Sequence, residues 1–313
     1  MSNATKTLLA LFAVLLVLTG IVKLTGNGSS SKGLQSAVIK LDSAKVDKIQ
    51  INTPKNGKVT LLKQKGKWEV RGHNEQLYPA DKNQVDRAIG QLTGLMPNAI
   101  VTRDKKSFTR YQVDTTGTKV TFFNGGNQLA SIILGRFAFA SRRSMNTYVR
   151  PAGKDIVYTV DGYLSAMYNQ KPDDWRDKKI WTIDKTAVKQ VDMKFPADSS
   201  YSMTNAGKNL WMYGSDSLKT SMTTNIIQNL ADLRADGFKD SMKPSDFGTP
   251  LYQIDLQMDN GTSNTLKIKP DKKDKNMYIL TASNYPYVFT KNKSTIKDQI
   301  LKRKQDLIMN KKK

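Results

Sequence analysis

From Leu8 to Val22 the chain is apolar at every position except Thr19 and Gly20, and Leu24 extends the run past Lys23. As a helix, Thr7 to Leu24 rises roughly 27 Å, close to a bilayer hydrocarbon core of about 30 Å. Residues 1–25 are therefore read as an uncleaved transmembrane signal anchor. The alternative, a cleaved signal peptide, finds no A-x-A site in Thr25-Gly26-Asn27-Gly28, and with no cysteine there is no lipoprotein attachment. Flanking charge does not fix the orientation, because Lys6 faces Lys23, Lys32 and Lys40 across the run. The expected placement is single-pass in the cell membrane, with everything downstream extracytoplasmic. Residues 26–34 read as a flexible tether.

Beyond the tether the pattern changes to strand alternation and then repeats itself. Leu41-Asp42 with Val46 and Ile49 matches Ile183-Asp184 with Val188 and Val191, each opening an extended strand. Ile49 and Ile51 alternate with Gln50 and Asn52, as Val191 and Met193 do with Asp192 and Lys194. Pro54 matches Pro196, and a hairpin then leads to Trp68 or Trp211, expected to be buried. A helix follows in each copy. Pro79-Ala80-Asp81 precedes Val85, Ile89, Leu92 and Met96 at helical spacing, and Ser221 to Thr224 precedes Ile226, Leu230 and Leu233. Strands are expected over Lys119 to Phe123 and Leu129 to Leu134 around Asn124-Gly125-Gly126, and over Tyr252 to Met258 and Leu266 to Ile268 around Asn260-Gly261. Thr147-Tyr148-Val149 and Asp155 to Val160 match Met277-Tyr278-Ile279 and Tyr287-Val288-Phe289.

This order predicts an α+β fold: one N-terminal transmembrane helix, then two similar repeats of antiparallel sheet with a packed helix, over residues 35–170 and 181–306. Residues 171–180 form the junction and 307–313 a basic tail. Arg176 followed by Ile180-Trp181 is echoed by Arg303 followed by Leu307-Ile308. Trp175 and Trp181 are expected to pack between the repeats, with Arg176 on a carboxylate or on the last carbonyls of a short helix over Asp161 to Tyr168. The alternative is a solvated linker with each indole covering its own repeat.

Two copies of this order behind one membrane helix resemble the DUF4340 family. The likeness is carried by Trp68, Pro79-Ala80-Asp81, Tyr111, Asn124-Gly125, Tyr148-Val149, Val157-Tyr158 and Trp175-Arg176-Asp177-Lys178, and covers nearly the whole chain. It implies a membrane-anchored bacterial protein of undefined activity, often encoded beside an ABC-type transport system similar to gliding-motility transporters. It carries over no catalytic residues. The second copy departs from the pattern, with Thr220-Ser221 in place of the Pro-Ala cap and Phe247 in place of Tyr111.

Composition narrows the chemistry. Of 313 residues, 38% are hydrophobic, which supports real cores, and none is cysteine. That removes disulfides, thiolate catalysis and Cys-based metal sites. The one histidine, His73, cannot build a multi-His site, and no G-x-S-x-G, Walker or G-x-G-x-x-G sequence is present. Asp173-Asp174, Asp271 with Asp274, and Asp255 with Asp259 read as loop or surface groups. No catalytic, cofactor-binding or metal-ligating residue is assigned, and any nucleotide hydrolysis belongs to another subunit.

A net charge of +23 directs attention to anionic partners. Lys302-Arg303-Lys304 and Lys311-Lys312-Lys313 flank Leu307-Ile308-Met309 in a predicted helix capped at Ser294, with Ile296, Ile300 and Leu307 on its apolar face. They are candidate contacts for anionic lipid, a solvated tail being the alternative. Arg142-Arg143 and Lys105-Lys106 would extend such a surface. Nucleic acid is disfavoured, since aromatic residues do not interleave these clusters. The expectation is a non-enzymatic accessory or scaffold subunit of an envelope transport complex, beside permease and ATPase subunits. The alternative is an extracytoplasmic binding module for anionic polymer or lipid.

Overall fold

The computed structural model describes residues 34, 36–72, 75–141, 144–197, 199–208, 210–283 and 285–309. The predicted anchor, nearly all of the tether, His73, Arg142-Arg143 and Lys311 to Lys313 lie outside them. Among the described residues no helix is long and apolar enough to cross a membrane. The chain divides into two compact units between Arg176 and Asp177, inside the stretch read as a junction.

The first unit contains β1 (Lys48–Thr53), β2 (Gly57–Gln64), β3 (Lys67–Arg71), β4 (Leu77–Pro79), helix α1 (Lys82–Leu92), β5 (Ala99–Thr102), α2 (Phe108–Tyr111), β6 (Thr118–Asn124), β7 (Asn127–Ser141), β8 (Ser144–Pro151), β9 (Val157–Asp161) and α3 (Ser165–Tyr168). Its strands form one nine-stranded sheet in the order β4-β3-β2-β1-β6-β7-β8-β9-β5.

The second unit contains β10 (Val188–Lys194), β11 (Tyr201–Asn205), β12 (Trp211–Tyr213), β13 (Asp216–Ser217), α4 (Thr220–Ala231), β14 (Gly237–Phe238), β15 (Tyr252–Met258), β16 (Ser263–Pro270), β17 (Met277–Ala282), β18 (Phe289–Asn292), α5 (Lys293–Gln299) and α6 (Lys304–Leu307). Its nine strands run in the same order, β13-β12-β11-β10-β15-β16-β17-β18-β14. Every pairing is antiparallel, so the fold is α+β in two copies.

Local chemistry explains the repeat. Asp42 and Asp184 do not themselves open a strand. Each carboxylate caps a single 3-10 turn, accepting the backbone N–H of Ala44 at 3.1 Å or Thr186 at 2.9 Å, and the chain then enters β1 or β10. The apolar positions of these strands point inward: Ile49, Ile51, Val191 and Met193 are fully buried, and Trp68 and Trp211 nearly so. In the first unit Asp81 caps α1 by accepting Gln84 N–H at 3.2 Å, and Val85, Ala88, Ile89 and Leu92 are buried. Met96 lies beyond the helix end and is 50% exposed, which corrects its predicted place on the helix face. In the second unit α4 starts at Thr220, so Ser221 to Thr224 form its first turn, and Thr223, Ile226, Ile227 and Leu230 are buried.

Each unit is closed by its last residues in the same way. Ala80 N–H donates to Trp68 O at 2.9 Å and Asp81 N–H to Trp175 O at 2.8 Å. The counterparts are Leu218 N–H to Trp211 O and Lys219 N–H to Leu307 O, both at 2.8 Å. Asp174 and Asp306 cap the closing turns, accepting from Lys171 and Arg303 N–H at 3.1 and 3.2 Å. Two correspondences are thereby corrected, since Trp175 matches Leu307, so that Arg176 matches Ile308 and not Arg303, and Lys219 stands in the place of Asp81; separately, the predicted helix from Ser294 through Leu307 is two helices. Asn292, not Ser294, caps α5, and the helix ends after Gln299, where Ile300 and Leu301 N–H both turn back onto Ile296 O. Ile296, Ile300 and Leu307 are all fully buried.

Candidate interaction surfaces

The predicted junction residues are divided between the units. Trp175 and Arg176 belong to the first, where both are buried. The Arg176 guanidinium lies 3.7 Å from the Tyr78 ring centroid, and its Nη1 is 3.3 Å from Asp173 Oδ1, a carboxylate partner of the predicted kind. Trp181 belongs to the core of the second unit, and its Nε1–H donates to Leu230 O at 2.5 Å. The Trp175 Nε1–H is buried without an acceptor among the described residues. Of the basic cluster, Lys302 is half-buried and its carbonyl accepts from the Tyr201 hydroxyl at 2.8 Å, while Arg303 and Lys304 are exposed. Lys304 stacks on Tyr213 at 4.7 Å. Arg303 and Lys304 line a cavity of about 650 Å³ with Phe195, Tyr252, Lys297 and Leu301.

The acidic pairs are engaged locally. Asp173 faces Arg176, and Asp174 caps its own turn. Asp271 pairs with Lys239, and Asp274 accepts Asn276 N–H. Asp255 meets Lys194 at 2.7 Å and the Thr265 hydroxyl at 2.7 Å. Among the described residues no group of three or more His, Asp or Glu is placed to hold a metal ion.

One surface stands out on the first sheet. Tyr111, at the end of α2, and Tyr148, on β8, lie with ring centroids 4.6 Å apart and are half-buried. Arg136 lies 5.2 Å from Tyr148 and 6.0 Å from Tyr111, and Arg110 lies 5.7 Å from Tyr111. Arg136 Nε–H donates to Arg110 O at 2.9 Å, which ties β7 to α2. Alongside, Arg150 covers Phe108 at 4.4 Å and donates to Val113 O at 2.7 Å. Neither Arg110 nor Arg136 has an ion-pair partner among the described residues, so both charges face outward.

Two glycines set this geometry. A Cβ on Gly135 would lie 2.2 Å from Tyr111 O, and one on Gly117 would lie 2.2 Å from Gln112 O. Only hydrogen at both positions lets the end of α2 settle on β6 and β7, with Gln112 turning at φ 55°. The loop beyond is held by Asp114, whose carboxylate accepts the hydroxyls of Thr109 and Thr116 and the Thr116 N–H. These bonds draw its pKa down to about 2.

The sequence aligned Tyr148 with Tyr278, but Tyr148 pairs with Thr159 whereas Ile279 pairs with Thr290. Asn98 and Asp236 N–H donate to the Thr159 and Thr290 carbonyls, which fixes those two threonines as equivalent. Ile279 is therefore the counterpart of Tyr148, and Tyr278 is fully buried in the main core of the second unit. The one-residue slip turns each tyrosine to the opposite face. Phe247 likewise corresponds to Phe108, since each ends a turn that starts four residues earlier, at Lys243 or Asp104. Among its described residues the second unit thus has no Arg-Tyr-Tyr-Arg arrangement.

The β7–β8 hairpin continues past this surface. The prediction ended the strand at Leu134, but β7 is 15 residues long, against 8 for β16. β6 pairs with it only as far as Leu134. Past a bulge between Leu134 and Phe137 it pairs with β8 alone, through Phe137↔Thr147 and Phe139↔Met145. Among the described residues nine large apolar side chains are exposed, and four gather here: Phe137, Phe139, Met145 and Tyr163. Phe137 meets Phe139 edge-on at 5.6 Å and Tyr163 at 5.0 Å, yet Phe139 is 72% exposed. The signal available in the sequence was the unbroken apolar alternation of Phe137 and Phe139 after Gly135-Arg136.

No curated protein and no solved structure matches the chain. A family model described as "Domain of unknown function (DUF4340)" matches residues 68–250, from β3 of the first unit to the loop before β15 of the second, which is more than half of the chain. The chain belongs to the DUF4340 family.

Proposed function

We propose that the chain is a membrane-anchored, non-enzymatic accessory subunit of an ABC-type envelope transport complex, its repeats on the extracytoplasmic side and its first sheet docked on a protein partner. The observation that carries this reading is the Arg110–Tyr111–Tyr148–Arg136 surface. Tyrosine and arginine are the residue types in which protein-binding energy concentrates. Here they are pre-positioned by Gly117 and Gly135, so binding needs little further ordering of side chains. The sequence likeness to proteins encoded beside transporters, together with the Leu8 to Val22 run, supplies the choice of partner.

The test is purification of the full chain from mild-detergent extracts of its own membranes, beside an Arg110→Ala, Arg136→Ala variant. ATPase and permease subunits are expected with the native chain and in lower yield with the variant, at equal expression. A native chain that purifies alone, or a variant that retains the subunits undiminished, overturns the reading.

A further inference from the structure

We propose that the protruding part of the β7–β8 hairpin inserts its apolar side chains into the surface of an anionic lipid bilayer. The inference is independent of the protein-docking reading, because it uses the other face of the hairpin: Phe137 and Phe139 follow Arg136 at odd spacing along β7.

Three observations carry it. Phe137, Phe139, Met145 and Tyr163 form one contiguous exposed group with Phe139, the most exposed, at its tip. The segment bearing Phe139 and Met145 is two strands wide, since β6 pairs only as far as Leu134 and β9 only as far as Asn146, with Gly162 just past β9 donating its N–H to Met145 O at 2.8 Å at the base of the segment; it can therefore enter a headgroup layer without burying the rest of the sheet. The hairpin is also charged with one sign. Residues 127–151 contain four arginines and no Asp or Glu. Exposed aromatic side chains on a hairpin whose only charged residues are arginines suit the boundary between acyl chains and anionic headgroups. A protein groove would account for the apolar group but not for the absence of every acid from the hairpin. The second unit provides the contrast: its β16–β17 turn reads Asp271-Lys272-Lys273-Asp274-Lys275-Asn276, mixed in charge and without an apolar residue.

The chain has no cysteine, so a single one can be placed at will. The full-length protein carrying Phe139→Cys or Lys272→Cys is labelled with an environment-sensitive fluorophore and incorporated into vesicles. One set is equal parts phosphatidylglycerol and phosphatidylcholine, the other phosphatidylcholine alone, and each is made with and without bromine on the acyl chains. The label at 139 is expected to shift to the blue and to be quenched by brominated lipid in the anionic vesicles. The effect should weaken in neutral vesicles and in high salt, and the label at 272 should stay water-like. A Phe137→Asp, Met145→Asp change is expected to reduce quenching at 139 about tenfold, the scale set by excluding one large apolar side chain from lipid. Water-like emission at 139 in both vesicle types overturns the proposal. So does equal quenching in anionic and neutral lipid. A blue shift seen in native membranes but not in pure lipid would assign the hairpin to a protein partner, and overturns it too.

Discussion

At the scale of single residues, the two buried indoles show how one side-chain type serves two environments. Trp175 and Trp181 are both buried, but among the described residues only Trp181 has an acceptor for its N–H, the Leu230 carbonyl in the last turn of α4. Trp→Phe removes similar volume at both sites. At 181 it also removes the bond to the Leu230 carbonyl, which keeps the longer one from Leu233 N–H at 3.3 Å, whereas at 175 it removes a donor that has no acceptor among the described residues. Trp181→Phe is therefore expected to cost about 0.5–1.5 kcal/mol more than Trp175→Phe, the net worth of one hydrogen bond. Urea unfolding of the two variants measures the difference, and equal losses would mean that the Trp175 N–H is bonded after all. The burial of both indoles was legible in the sequence, because residues this large and apolar seldom sit wet beside Asp173-Asp174 and Lys178-Lys179. Which core receives each was not, since that depends on backbone bonds from Asp81 and Ala235 that leave no mark on composition.

At the scale of elements, the signals that held are those read within a few residues: the alternation of Ile49 and Ile51, the Asp81 cap, and the Gly125-Gly126 turn with φ 53° and 90°. What failed was correspondence across the repeat. Matching Arg176 with Arg303, or Tyr148 with Tyr278, follows residue identity, while the sheet fixes equivalence by register and by which face must be buried. The length of β7 was hidden because Gly135-Arg136 looks like a break; it is a seat for α2 followed by a bulge. That reading gives opposite outcomes for two glycines. In Gly135→Ala the new methyl meets Tyr111 O at 2.2 Å and Val113 Cγ1 at 2.7 Å, so α2 must lift, with an expected loss of about 1–3 kcal/mol. Gly90 lies inside α1 with open space around it, and Gly90→Ala should instead gain about 0.5–1 kcal/mol. Paired urea midpoints check both signs. If Gly135→Ala is neutral, the seat is not what positions Tyr111.

At the scale of the whole molecule, each unit ends on a residue that is at once a core side chain and a backbone clasp. Trp175 is fully buried and its carbonyl receives Asp81 N–H, while Leu307 is fully buried and its carbonyl receives Lys219 N–H. The clasp ties the end of each unit to the residue just before its first long helix, closing a loop over residues 81–175 in the first and 219–307 in the second. A boundary drawn at Gln170, as the sequence pattern suggested, therefore removes part of the first core. The fragment 36–176 is expected to unfold cooperatively in urea. The fragment 36–170 should lose about 3–5 kcal/mol, the cost of deleting one large buried aromatic side chain, before any loss from the clasp itself. A Trp175→Ala change in the longer fragment separates the two contributions. It deletes the indole but keeps the carbonyl that receives Asp81 N–H, so it should be more stable than 36–170 by the worth of one or two backbone bonds, about 1–2 kcal/mol. If the two fragments unfold at the same urea concentration, residues 171–176 are a linker and the clasp contributes nothing to the fold.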